Sequence, residues 1–131
     1  MKPTEALKVE NDAVIALQAL LEGLPRTRID FIKAVGEDET IDIRAEFHLD
    51  RKPVRLFCEV KSSGQPRFVR AALDQLARIE RDPNSVAMVI APYLSEQSRA
   101  LCRQDGAGYL DFEGNALLSA GAIPVSYTHL T

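Results

Sequence analysis

The chain has 131 residues, a net charge of −3, and 46% hydrophobic against 27% charged residues, which suits one ordinary globular core and excludes disordered and fibrous classes. No apolar run approaches the ~20 residues that span a bilayer, and the N-terminal MKPTEALKVEND lacks the hydrophobic segment of a signal peptide, so a cytoplasmic protein with no membrane partner is expected. The acidic balance argues against nucleic acid binding over the whole surface. Cys58 and Cys102 have no CxxC or zinc spacing and read as reduced, buried thiols.

The segment 9–25 reads as a helix, with Val14, Leu17 and Leu21 on one stripe, Asn11 or Asp12 as cap, and Gly23 and Pro25 as its stop. A short strand follows at 28–35. Residues 41–49 then alternate Ile41, Ile43, Ala45, Phe47 and Leu49 with polar residues, the period of a strand with one apolar face. Residues 50–53 read as a tight connection into an apolar central strand, 54–62. After a Gly-Gln-Pro break, 67–80 is an amphipathic helix with Val69, Ala72, Leu73, Leu76 and Ile79 on its apolar stripe. Residues 86–94 form a buried strand, Ser95 caps a helix over EQSRALCRQ, and YLDF is a last strand. The order α-β-β-β-α-β-α-β predicts an α/β fold with a mixed β-sheet flanked by helices, in a single domain over 1–124.

Charge is unevenly spread. Residues 51–81 carry +5 and the remainder −8, as suits a face meeting a polyanion such as DNA, or a solvated basic helix. Arg67, Arg70 and Arg78 share the polar face of the 67–80 helix and are the candidate DNA-binding residues.

Opposite charges inside the central strand, Glu59 and Lys61, raise the question of chemistry. In a strand they point to one face. With 50–53 as the hairpin connection, paired positions sum to about 103, which sets Asp42 near Lys61 and Arg44 near Glu59. Two carboxylates and an ammonium group on a rigid sheet suit magnesium-dependent phosphodiester hydrolysis. The carboxylates and a backbone carbonyl are hard oxygen ligands, and the lysine orients water or offsets charge on phosphate. An ion-paired strand end with no chemistry satisfies the same spacing.

The element order and the residues Asp42 and Glu59-Val60-Lys61 resemble the PD-(D/E)XK nuclease superfamily, the restriction-endonuclease-like fold. The resemblance implies a magnesium-dependent DNA endonuclease in which Asp42 and Glu59 bind the metal, the Val60 carbonyl helps to hold it, and Lys61 is the catalytic lysine. Gln75 matches a helix glutamine of some branches, and Glu10 a first-helix glutamate of others. The proline that precedes the aspartate in the family is replaced by Ile41, and Glu46 rivals Asp42 as the first acidic ligand. EVKSSGQPR, APYLS and GYLDFEGNALLS together are similar to nuclease-like domains of bacterial antitoxin proteins of the abortive-infection type. That likeness implies a second reading, a non-catalytic module that binds DNA or a partner protein, and is compatible with a homodimer.

Asp111 and Glu113 form another carboxylate pair, read first as part of a turn at Gly114-Asn115. His48 and His129 have no partner in sequence for nucleophilic or zinc chemistry, and Tyr93 and Phe68 read as core or rim. The last seven residues look like translated adapter sequence from DNA library preparation. Residues 125–131 are therefore expected to be foreign, with the natural chain running on into a missing C-terminal segment.

Overall fold

The computed structural model of the chain describes residues 4–35, 40–80, 82–120 and 123–129. Helix α1, Thr4–Glu22, buries Ala13, Leu17, Leu20 and Leu21 on one stripe. It begins five residues before the expected start at 9, so Asn11 and Asp12 lie inside it and cap nothing. It does stop at Gly23, whose N–H reaches the carbonyls of Ala19 and Leu20.

Strands β1 (Thr27–Ala34), β2 (Ile43–Leu49) and β3 (Lys52–Val60) form an antiparallel meander. The β2–β3 turn is only Asp50-Arg51, both with positive φ (52° and 74°), as a two-residue type I′ hairpin requires. Pro53 is therefore in β3, opposite His48. It lies ahead of the point where β4 joins at Arg55, so its missing N–H interrupts no pairing there.

Helix α2 (Pro66–Ala77) carries the chain back to β4 (Ser85–Ala91), which runs parallel to β3 and is buried at every residue. Helix α3 (Glu96–Gln104) starts on Ser95, whose hydroxyl accepts the Ser98 N–H at 3.2 Å, the expected cap. Strand β5 (Gly108–Asp111) is parallel to β4, and β6 (Ala116–Ala120) and β7 (Ile123–His129) return antiparallel. The seven-stranded sheet has the order β1-β2-β3-β4-β5-β6-β7. The α-β-β-β-α-β-α-β order is present, with two strands added after it. Most of the segment expected to be foreign forms the edge strand β7, furthest from β1–β3.

The sheet separates two cores. Ala13, Leu17 and Leu21 of α1 pack on Ile43, Phe47, Leu56 and Ile90, while Val69, Leu73 and Leu76 of α2 pack with Cys102 of α3 on Phe57, Val89 and Tyr109. Two parallel crossovers moving the same way along a sheet place their helices on one face, which is where α2 and α3 lie. No described helix is long and apolar enough to cross a membrane.

Candidate functional site

Glu59 and Lys61 stand at the C-terminal end of β3, where β3, β4 and β5 all end in loops. In open α/β sheets this is the edge at which ligands bind. Glu59 is buried at 6% exposure, on the face covered by α2. Lys61, just past the strand, is tied to β4 by its N–H to the Ile90 carbonyl at 2.9 Å, and its ammonium lies 3.9 Å from Glu59 Oε2. The ammonium is partly open to solvent, so the pair is a buried carboxylate held beside a wet cation.

The strand register differs from the one expected. Ile43 pairs with Cys58 and Arg44 with Phe57, so paired positions sum to 101 and not 103. Arg44 therefore faces the Phe57 ring, 5.8 Å from its centroid, and not Glu59; Asp42 is likewise not opposite Lys61. The cause is the turn, two residues long where four were expected.

Asp42 itself lies just before β2, where the alternation breaks. Ile41 and Ile43 are two residues apart, yet Ile41 is in the α2-side core and Ile43 in the α1-side core. The Asp42 N–H bonds Cys58 O at 3.0 Å, while Ile43 also pairs with Cys58, so two residues oppose one in the manner of a β-bulge. The bulge re-aims the side chain. Asp42 Oδ2 accepts the N–H of Val60, the residue between Glu59 and Lys61, at 2.8 Å. In a strand a residue's N–H and C=O leave on the same edge, so the Val60 carbonyl leaves β3 on the edge that faces β2. Val60's side chain packs against the α1-side core.

Gln75, half-buried on α2, donates from Nε2 to the Thr40 carbonyl at 3.3 Å and so reaches the segment that precedes Asp42. Glu46 sits mid-strand opposite Arg55, four positions from Glu59 along β3, or about 13 Å at ~3.3 Å per residue. Glu10 is buried at 8% exposure near the start of α1. Arg67, Arg70 and Arg78 are all exposed on or at the end of α2, with the Arg67 guanidinium 4.5 Å from the centroid of the Phe68 ring. Tyr93 is 55% exposed and His48 bonds across to β1, while His129 has no described side chain.

Sequence reasoning missed what holds this end of the sheet. Gly64, read as a turn residue, is buried, and a Cβ there would lie 1.8 Å from the Tyr93 carbonyl oxygen. Its backbone bridges to Leu94, and its carbonyl accepts the hydroxyl of the fully buried Ser98. Asp111, at 1% exposure, accepts the N–H groups of Leu94, Glu113 and Asn115 and the Asn115 amide, all at 2.9–3.1 Å. Its carboxylate is spent on the backbone of two loops. The Asp111 bonds to Glu113 and Asn115 are the turn expected at Gly114-Asn115, whereas the contacts of Gly64 with Tyr93, Leu94 and Ser98 and of Asp111 with Leu94 join residues far apart in sequence and have no local signal.

Burial pushes the Cys58 thiol well above its ordinary value, and the negative charges of Asp42 and Glu59 add to this. Both carboxylates thus act on one buried atom of β3. Among the described residues no group of three or more His, Cys, Asp and Glu side chains is gathered to hold a metal. The oxygen donors that the end of β3 offers are the carboxylates of Asp42 and Glu59 and the Val60 carbonyl. That set fits magnesium, which takes one or two carboxylates and keeps several waters.

An antiparallel meander continued by parallel β3-β4-β5, with crossover helices on one face, defines an α/β protein with a mixed sheet. No protein-family model matches the chain, and no curated protein does. Among solved structures it is similar to a repair endonuclease from Pyrococcus abyssi, at 14% identity and a TM-score of 0.48 over 86% of this chain and 48% of that one. It is also similar to EndoMS in its apo form (13% identity, TM-score 0.47, 86% of this chain and 47% of that one). For EndoMS in complex with double-stranded DNA the values are 16% identity and a TM-score of 0.42, over 77% of this chain and 44% of that one. The chain spans less than half the length of each.

Proposed function

We propose that the chain hydrolyses phosphodiester bonds in DNA with magnesium as cofactor. Asp42, Glu59 and the Val60 carbonyl would hold the ion, which supplies Lewis acidity and a more acidic water when bound. Lys61, on its short tether beside Glu59, orients the attacking water and offsets the charge that develops on the phosphate. Gln75 acts as a positioning residue through the Thr40 carbonyl, and Arg67, Arg70 and Arg78 track the DNA backbone from α2.

The observation that supports this reading most is the Asp42 carboxylate, bonded at 2.8 Å to the peptide between Glu59 and Lys61. A structural ion pair of Glu59 and Lys61 has no need of a second carboxylate at that peptide. Gathering two like charges costs free energy unless a cation offsets them.

The test is a plasmid-nicking assay with and without magnesium, on the parent and on Glu59→Gln. The proposal requires magnesium-dependent nicking by the parent and its loss in the variant. A parent that never nicks DNA but binds it, or binds a partner protein, would make the domain a non-catalytic module of the antitoxin kind.

A further inference from the structure

At the other end of β1 and β2 lies a second concentration of charge. Arg26, Thr27, Arg28, His48 and Arg51 line a hollow of about 420 Å3. His48 is six residues from Asp42 along β2, or about 20 Å, so this hollow is separate from the candidate catalytic end.

Three observations bear on what it holds. The first is backbone conformation. Among the described residues, the non-glycine residues with positive φ are Arg26 (54°), Asp50 (52°) and Arg51 (74°), and the Asp50 N–H bonds the Arg26 carbonyl at 2.9 Å, so these three meet here. Glycine is the usual residue at the second position of a two-residue type I′ turn. Arginine at that position strains the backbone, and strain of this kind gathers at sites where a side chain is used.

The second is a shared contact. His48 Nδ1 lies 2.8 Å from Asp30 Oδ2 and 3.1 Å from Arg28 Nη2. That nitrogen carries either one hydrogen or one lone pair, so it serves only one of the two neighbours. If it donates to Asp30, the nearer partner, the Nη2 donors of exposed Arg28 turn to solvent and are open to a ligand.

The third is charge. Asp50 pairs with Arg26 at 3.5 Å and Asp30 with Arg28 at 3.3 Å, whereas Arg51 makes no ion pair among the described residues. Three guanidinium groups therefore line a hollow beside two carboxylates, and an anion with several acceptor oxygens would replace water at the surplus cationic donors.

We propose that Arg26, Arg28 and Arg51, with His48 beside them, form a phosphate-binding site at the β2–β3 turn. The chemistry is that of a phosphate oxyanion, supplied by a nucleic-acid backbone or by a free phosphate compound. Binding here does not depend on the proposed cleavage at Glu59, and Glu59→Gln leaves it unchanged.

The experiment is an NMR titration of the protein with inorganic phosphate at ionic strength held constant with sodium chloride, and a second arm with a short DNA duplex. Phosphate is expected to shift the resonances of Arg26, Arg28, Arg51 and His48. Arg51→Gly relieves backbone strain, so its melting temperature holds or rises while phosphate affinity falls about tenfold, as for the loss of one charge-assisted contact. Arg28→Gln, on an exposed strand position, gives a similar loss without touching the turn. Competition between duplex and phosphate assigns the site to nucleic acid, and phosphate binding without competition assigns it to a free phosphate compound. Shifts that miss these four residues, or unaltered phosphate affinity in both variants, would overturn the proposal.

Discussion

The carboxylate of Asp42 accepts the amide hydrogen of Val60 at 2.8 Å, across a break in the β2 alternation. The bond ties the first acidic residue to the peptide between Glu59 and Lys61, and it separates stability from chemistry in a testable way. Asn at position 42 keeps an acceptor oxygen and loses the charge, so Asp42→Asn should retain the fold and lose magnesium-dependent nicking. Asp42→Ala leaves a partly buried N–H without its partner and should cost about 1–2 kcal/mol as well. Urea melts of the two variants beside the nicking assay make the comparison. Equal destabilisation by Asn and Ala would remove the hydrogen bond from the account.

Glu59 and Lys61 differ in burial, and so their variants should differ too. Glu59→Gln keeps the shape and removes a buried charge, so stability should stay within about 1 kcal/mol of the parent. Lys61→Ala leaves the buried carboxylate without its neighbouring cation and should be the more destabilised of the two without metal. Magnesium should raise the melting temperature of Lys61→Ala and leave that of Glu59→Gln unchanged, because the proposed function gives the ion to Glu59 and not to Lys61. Melting curves with and without magnesium decide it. A magnesium response in Glu59→Gln equal to the parent's would take the ion away from Glu59.

Gly64 sets a steric limit on the loop that follows Lys61. A methyl group there meets the Tyr93 carbonyl oxygen at 1.8 Å, and backbone must move on one side or the other. Gly64→Ala should therefore destabilise by about 2 kcal/mol or more, measured by chemical denaturation. Ser98→Ala, which removes the hydroxyl bonded to the Gly64 carbonyl, should lose less. Parent-like stability in Gly64→Ala would show that the two segments separate freely.

Much of this architecture is legible in the sequence, and the exceptions have physical causes. The alternation of Ile43, Ala45, Phe47 and Leu49 and the stripe of Val69, Ala72, Leu73 and Leu76 are buried as expected, because a one-sided core imposes the period of each element. The β2–β3 register slipped by two because Asp50-Arg51 does not look like a type I′ turn, whose usual signal is Asn-Gly, and because Pro53 looks like a turn residue although it lies in β3. Glu59 and Lys61 stand out in the sequence as opposite charges two positions apart in an apolar strand. The bulge that aims Asp42 does not stand out, since it depends on which core Ile41 chooses. The contact between Gly64 and Tyr93 joins segments 29 residues apart and leaves no local trace.

Arg67, Arg70 and Arg78 are exposed along one side of α2, free to meet phosphates without disturbing the core. Replacing all three by Ala should leave the melting temperature nearly unchanged. If each contacts one phosphate, the log–log salt dependence of DNA binding should flatten by roughly 0.9 per residue. Filter binding over a range of salt concentrations measures this slope, and an unchanged slope returns these arginines to solvent.

The two thiols predict how stability responds to alkali. Burial pushes Cys102 from 9.0 up to about 12, and pushes Cys58 up as well, with Asp42 and Glu59 opposing its ionisation. In the unfolded chain both ionise near the ordinary value, while the folded chain keeps their protons. The unfolded state therefore binds fewer protons above pH 9, and stability must fall as pH rises from there toward 12. Each thiol contributes a slope approaching about 1.4 kcal/mol per pH unit within that window, and nothing below pH 8. Cys102→Ala should make the fall less steep in urea melts between pH 8 and pH 10.5. Only the thiolate attacks a disulfide reagent, so both cysteines should also react slowly at pH 8 until urea unfolds the chain. Rapid labelling of the folded protein at pH 8, or an identical pH slope in Cys102→Ala, would contradict the buried, protonated state of these thiols.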